Sequence, residues 1–285
     1  MPATAKFATM SDKQFIALRD IIYKRSGIHF PDAKKYVLES RLGKRLQELE
    51  IEDFDQYVGF LTMGPFQTDE FQEMFNRITI NETSFFRNEP QLNAFESEAL
   101  PDLLKARAKE KRLRIWSAAC SSGEEPYTLA MILHRALGVR LADWRIEILG
   151  TDISEKARKV AQSGVYSSYA LRTTQSLTQS RYFKEQGREF VLDPEIQSMV
   201  NFEVHNLKDR LAARRFGTWD VIFCRNVMIY FDDPTPQQLV ACIHDQLDKD
   251  GTRIIGHSEN LRTLNTPFKQ AGSAQAFMYR KPGNV

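Results

Sequence analysis

Cysteine is scarce in this chain of 285 residues: there are three, Cys120, Cys224 and Cys242, widely spaced and in no CxxC pair. An odd, scattered set excludes a disulfide framework. With no His/Cys cluster at ligand spacing it also excludes a structural zinc site, so no metal is expected and the reducing cytoplasm is the expected compartment. A dominant charge is missing too. Lys and Arg number 39 against 37 Asp and Glu, a formal net charge of +2, so no global field draws the protein to nucleic acid and any basic attraction must be local. No apolar run approaches the roughly 18 residues of a membrane span. The opening MPATAKFATMSDKQF lacks the apolar stretch of a secretory signal. What is present is a hydrophobic content of 42%, enough to fill one large or two modest domains.

The chain reads as two regions. To about Ile80 the pattern is helical: Ser11 is placed to cap a helix carrying Phe15, Leu18, Ile22 and Tyr23 and ended by Gly27. A second helix, roughly Ala33–Leu49, sets Leu38, Leu42, Leu46 and Leu49 on one face, and further helices follow from Asp53 and Thr68. Asn81–Asn88 (NETSFFRN) reads as a connector and Pro90–Arg112 as a lead-in helix. From Leu113 onward strands are expected at Leu113–Ala118, Arg145–Thr151, Asn201–His205, Asp220–Arg225, Thr252–His257 and Ala276–Arg280, with helices between most of them. That alternation implies a parallel, doubly wound α/β sheet, with an antiparallel last strand because no convincing helix precedes it. Tyr166–Met199 is too long for a simple link and is expected to form a small inserted β-subdomain around Arg181-Tyr182-Phe183 and Glu189–Leu192. The expected layout is a helical domain at 8–80, a linker and lead-in helix at 81–112, and an α/β domain at 113–285 with an insertion at 166–200.

Leu113–Met131, LRIWSAACSSGEEPYTLAM, carries the most chemistry. A buried strand ends in small residues, and a helix then opens with Glu124, Glu125 and Pro126, the proline favouring a first helical turn. Such a junction brings backbone close to a nucleotide-like ligand beyond the carboxyl ends of the strands. Two carboxylates and a single glycine suit no pyrophosphate, but they suit ribose hydroxyls or an ammonium group. The ligand implied is S-adenosylmethionine. The other strand ends agree: Asp152 stands where ribose is gripped, Asn206 where an adenine edge can pair, and Arg225 and Asn226 open an apolar run to Tyr230. Each residue also has a plainer role, as a helix cap, turn residue or core tyrosine. The combination in this order points to an adenosine-binding α/β enzyme, in the first place a methyltransferase.

NETSFFR (Asn81–Arg87), WSAACSSGEEPY (Trp116–Tyr127), FCRNVMIYF (Phe223–Phe231) and GHSEN (Gly256–Asn260) resemble segments of the CheR family, the chemotaxis receptor methyltransferases, over nearly the whole chain. The resemblance implies a helical N-terminal domain and methyl transfer from S-adenosylmethionine to glutamate side chains of bacterial chemoreceptors, forming γ-methyl esters and leaving S-adenosylhomocysteine. It implies cofactor contacts at Asn81, Thr83, Arg87, Glu125, Asp152, Asn206, Leu207, Arg225 and Asn226, with Tyr230 near the transferred methyl. A glutamate is ionised at pH 7, with an ordinary pKa of roughly 4.3, so it can attack the sulfonium methyl directly. Arg87 and Tyr230 are then expected to orient rather than to move protons.

The second helix places Lys34, Arg41 and Arg45 close together beside its leucine stripe. The resemblance makes this strip a docking surface for the cytoplasmic helical bundle of a receptor. The compact stretch Lys184–Glu189 resembles members that work without tethering to a C-terminal receptor pentapeptide. A monomer is expected, without nucleic acid and without membrane insertion. Two alternatives stay open: a nucleic-acid methyltransferase, for which RNVMIYF lacks the Asn/Asp-Pro-Pro-Tyr/Phe pattern that grips a flipped base, and a non-catalytic cofactor-binding partner.

Overall fold

Ser11 begins the first helix as its sequence requires: its hydroxyl accepts from the N–H of Gln14, whose side chain accepts from the Ser11 N–H, and Gly27 closes the helix at φ 79°. The computed structural model describes residues 8–63, 67–232, 235–256, 259, 266, 268–273 and 276–281. These form two compact units, one of Met1–Ile80 with Tyr230–Thr235, the other of Asn81–Ile229 with Pro236–Val285.

The first unit holds α1 (Asp12–Ser26), α2 (Lys35–Glu48), α3 (Phe54–Met63) and α4 (Gln67–Ile78). Leu38, Leu42 and Leu46 of α2 are buried with Phe15, Leu18, Ile22, Phe54, Leu61 and Met74. A polar cluster completes this core. Glu70 is buried, and its carboxylate accepts from Arg45 at 2.7 and 3.1 Å and from the Tyr57 hydroxyl at 2.8 Å. Arg45 also holds Glu48, which binds Arg77. Arg41 donates to the carbonyls of Ile78 and Thr79 at 2.7 and 3.1 Å, covering the end of α4. Two of the three basic residues of the α2 strip thus have partners within their own unit, because a helix face carries both its apolar stripe and the polar groups bordering the core. Of the three expected docking residues Lys34 is exposed, whereas Arg41 and Arg45 are half-buried and hydrogen-bonded within their own unit.

In the second unit α5 (Glu89–Ala94), a π turn (Phe95–Ala99) and α6 (Leu100–Ala106) make one continuous helix. The widened turn precedes Pro101, which has no N–H to offer the residue four back. The helix stops six residues short of the expected Arg112, and the chain turns at Arg107 to enter the sheet.

Then follow β1 (Arg112–Ala118), α7 (Glu124–Leu137), β2 (Arg145–Asp152), α8 (Glu155–Ser163), β3 (Val165–Ser167), α9 (Ser176–Tyr182), β4 (Phe183–Gln186), β5 (Glu189–Leu192), α10 (Pro194–Ser198), β6 (Val200–Val204), α11 (Arg210–Ala213), β7 (Trp219–Cys224), α12 (Thr235–Gln246), β8 (Leu247–Ile255), β9 (Lys269–Ala271) and β10 (Met278–Arg280). The main sheet runs β6-β2-β1-β7-β8-β10-β9, parallel as far as β8, with β10 antiparallel to both β8 and β9. Burial of Leu113, Ile115, Val221, Phe223 and Ile254 reflects a sheet covered on both faces.

The expected strands are present with small shifts; His257 lies outside the described residues. β8 starts at Leu247 rather than Thr252, because Trp219 pairs Leu247 and Val221 pairs Thr252, leaving the Asp-Lys-Asp-Gly stretch as an irregularity inside one strand. β9 was not expected. The insertion is a three-stranded antiparallel sheet, β3-β5-β4, with a tight turn at Gly187 (φ 66°). Arg181 and Tyr182 lie in α9, and the strand begins at Phe183. No helix among the described residues is long and apolar enough to cross a membrane.

Arg45→Met would leave the buried Glu70 carboxylate with the Tyr57 hydroxyl but without its cation, which is expected to destabilise the helical unit by about 3–5 kcal/mol. Arg45→Met/Glu70→Leu is expected to recover most of that loss. Urea unfolding of the full chain checks both, and an Arg45→Met variant as stable as the parent would contradict the structural role.

Candidate active site

Strand register sets the site. Ala118 at the end of β1 lies opposite both Thr151 of β2 and Cys224 of β7, so the loops that follow these three strands emerge side by side. Asp152 pairs with Val204, which brings the loop after β6 to the same edge. In a parallel sheet this is the ligand-binding edge.

Arg225, the first residue after β7, is the centre of this edge. It is buried; Nη1 donates to Glu125 Oε2 at 3.0 Å and Nη2 to the carbonyl of Arg87 at 2.7 Å. The other oxygen of Glu125 accepts from Ser117 Oγ at 2.7 Å. Beside them Asp152 receives the N–H of Ser121 at 2.8 Å and that of Ser154 at 2.9 Å. Burial raises its pKa, and backbone donors from Ser154, Ser121 and Ile153 act in the opposite sense. Ser121 Oγ and Arg225 Nε are among the buried polar atoms that face no partner among the described residues.

The loops are strained as well as polar. Phe86, Asn88, Ala119, Ser121 and Asn226 all have φ between 51° and 63°. Five left-handed non-glycine residues in loops at or leading to one edge mark a place where the fold imposes conformations that local preference opposes.

The Asn81–Arg87 segment is not a mere connector. The Phe85 N–H donates to the Ala170 carbonyl at 2.9 Å, the Phe85 carbonyl accepts from Thr173 Oγ1 at 2.6 Å, and the Phe86 N–H donates to Thr128 Oγ1 of α7 at 3.1 Å. The Phe85 ring sits edge-on to Tyr166 and Phe183. Buried aromatic anchors hide inside a polar-looking stretch, which is why residue pattern alone reads it as a link. Within it Asn81 is exposed, the Thr83 carbonyl accepts from Arg172, and Arg87 Nη1 donates to the Glu82 carbonyl at 2.7 Å.

Arg225 thus touches both Glu125 and the backbone carbonyl of Arg87, and Asp152 and Asn226 belong to the adjoining loops. Asn206 uses Oδ1 to accept the Lys208 N–H at 3.1 Å, the turn role weighed for it, and Leu207 beside it is half-buried. Tyr230 belongs to the helical unit, where its carbonyl accepts from the His29 N–H at 2.8 Å. Ser117, Ser121 and Glu259 were not foreseen. Ser117 and Ser121 read as small spacers, and Glu259 lies in a segment quoted only for its resemblance.

The two glutamates opening α7 have separate fates. Glu125 meets Arg225, so its charge is balanced inside the protein rather than held open for a cationic ligand. Glu124 is buried, both its oxygens accept from Ser122 Oγ at 2.8–3.0 Å, and burial pushes its pKa up to about 7 against that hydrogen bond. Cys120 packs below the loop; burial first, and then the charges of Asp152, Glu125 and Glu124, push its thiol well up, so it acts as a small apolar side chain.

Residues 81–277 match the CheR methyltransferase SAM-binding domain, and residues 13–79 match the CheR methyltransferase all-alpha domain. The chain belongs to the CheR methyltransferase family. It is 34% identical to chemotaxis protein methyltransferase 2 of Vibrio cholerae over 277 residues, 96% of this chain and 94% of that one. The chemotaxis protein methyltransferase of Escherichia coli K12 is 35% identical over 268 residues, 92% and 90% of the two chains. Chemotaxis protein methyltransferase 1 of Pseudomonas aeruginosa is 32% identical over 275 residues, 95% and 98%. The chain is therefore a methyltransferase of chemotaxis that uses S-adenosylmethionine. The site fits that cofactor: an internally neutralised Arg225–Glu125 pair, a further carboxylate at Asp152, and the unpartnered donors Ser121 Oγ and Arg225 Nε suit a phosphate-free ligand with hydroxyl, ammonium and carboxylate groups.

The value of Glu124 gives a pH dependence. Its folded pKa, about 7, lies above the ordinary 4.5, so the stability it contributes is fully present below about pH 4.5 and is lost as pH rises through about 7. Glu124→Gln stays neutral throughout. The Tm of the variant minus that of the parent should therefore grow from about pH 5 to about pH 8, and a pH-independent difference would contradict this account.

Proposed function

We propose that the protein is a cytoplasmic protein-glutamate O-methyltransferase that esterifies glutamates on the helical bundle of bacterial chemoreceptors. The observation that carries this reading is Arg87, a half-buried cation whose carbonyl is fastened to Arg225 and whose guanidinium, among the described residues, spends one donor on the Glu82 carbonyl. It keeps donors for an anionic group beside the cofactor loops. When bound, S-adenosylmethionine supplies an electrophilic methyl on a sulfonium. Asn81, Thr83, Asp152, Ser121, Asn206, Leu207, Arg225 and Asn226 would hold it, with Glu125 acting through Arg225. Arg87 would orient the receptor carboxylate, which is ionised at neutral pH and needs no general base. Alignment of this kind is worth roughly 7–11 kcal/mol of barrier.

Receptor docking is assigned to the exposed face of the helical unit around Lys34. Arg41 and Arg45 contribute by holding α2 and α4 in shape. The short β4–β5 turn supports recognition without a C-terminal pentapeptide tether. The reading involves a monomer, with no nucleic acid and no membrane insertion.

Transfer of tritiated methyl from S-adenosylmethionine to a receptor cytoplasmic fragment tests this reading. The product is expected to lose its label in mild alkali, as an ester must, and Arg87→Ala is expected to lose about a hundredfold or more in rate with cofactor affinity changed far less. Alkali-stable label, or labelling of RNA instead of the receptor, would overturn the assignment.

A further inference from the structure

Glu259 lies in the chain after β8, and its carboxylate is buried at 4% exposure. It accepts four backbone N–H groups. Oε1 takes those of Val227 and Met228 at 2.8 and 2.7 Å, and Oε2 takes those of Asn226 and Gly256 at 3.0 and 2.6 Å. Three successive amides of the loop after β7 thus converge on one anion, the geometry of a backbone anion nest, and the anion is a side chain from the neighbouring strand's loop. The loop needs such a template, because Asn226 sits at φ 57° and local preference does not hold a non-glycine residue there. Gly256 is part of the fit: a Cβ at that position would stand 2.8 Å from Glu259 Oε2 and 2.9 Å from the Asn226 nitrogen. The opposite charge comes from Arg253, wholly buried on β8, whose Nη2 reaches Met228 Sδ at 3.4 Å. Burial lowers the Arg253 pKa, with the charges of Cys224 and Glu259 working against that.

Arg225 directly precedes this clamped run, and its guanidinium must reach Glu125 and the Arg87 carbonyl together. We propose that Glu259 is a positioning residue for the methyltransferase site: by gathering the amides of Asn226, Val227 and Met228 it sets the backbone from which Arg225 is aimed. The inference rests on the reading of Arg225 as part of the cofactor site. It adds a residue that acts through the loop backbone.

In Glu259→Gln one acceptor oxygen is replaced by an amide that donates, so two of the four backbone donors face another donor. Calorimetric Kd for S-adenosylhomocysteine and the KM and kcat for S-adenosylmethionine are measured on the full chain beside Arg225→Ala and Glu147→Gln. Glu147 binds Arg112, Arg114 and Arg145 at the amino end of the sheet, and its variant controls for general destabilisation. Glu259→Gln is expected to weaken Kd and raise KM by about tenfold with kcat changed less, while Glu147→Gln lowers Tm and leaves Kd unchanged. Should Glu259→Gln fail to fold, Glu259→Asp, which keeps the charge but loses reach, is judged by the same criterion. If Arg225→Ala weakens Kd and the Glu259 variant does not, the positioning role is wrong. If Arg225→Ala itself leaves Kd unchanged, the reading of Arg225 fails first, and this inference with it.

Discussion

A buried ion pair, Arg225 with Glu125, joins three separate parts of the chain: the loop after β7, the first turn of α7, and through the Arg87 carbonyl the segment before the lead-in helix. The side chains are only 4% and 14% exposed, which puts the pair in the class where loss of one partner costs about 3–5 kcal/mol rather than the roughly 0–1 kcal/mol of a surface pair. Neither residue can therefore be treated as an independent contact. Ser117 fixes the second oxygen of Glu125, and Arg225 Nε is left over in a buried setting.

Strain and charge share this place. The loops hold left-handed residues that are not glycine, and backbone amides are turned inward onto Asp152 and Glu259. A pyrophosphate site would turn such amides outward, toward the ligand. Here internal carboxylates occupy them, which agrees with a cofactor that brings a positive centre and no phosphate. The same economy governs the helical unit, where Glu70 gathers Arg45 and Tyr57 inside the core.

The fold was largely legible in sequence because it rests on periodicity. The leucine stripe of α2, the Ser11 cap and the alternation of strands with helices all act locally, and the antiparallel final strand followed from the missing crossover helix. What was not legible depends on distant partners. The strand β8 absorbs an irregular Asp-Lys-Asp-Gly stretch ahead of the expected start at Thr252, and the lead-in helix widens at a π turn before Pro101 and ends early. In the site, Glu125, Asp152 and Arg225 stood out by position after a strand, whereas the pairing of Glu125 with Arg225, one hundred residues on, leaves no trace in spacing. The partners of Arg41 and Arg45 were equally hidden: charge at the edge of an apolar stripe does not reveal that backbone carbonyls at the end of α4 and a buried glutamate accept from it. Glu259 was invisible because its partners are backbone amides, which carry no sequence signature.

The central claim is that Glu125 and Arg225 act as one unit in holding the cofactor. Its most direct measurement is the calorimetric affinity for S-adenosylhomocysteine in Glu125→Gln, Arg225→Gln and the double variant, read as a double-mutant cycle. The account predicts that the double variant binds no more weakly than the worse single variant, a coupling of about 1–3 kcal/mol. Losses that simply multiply, as for two independent contacts, would contradict it.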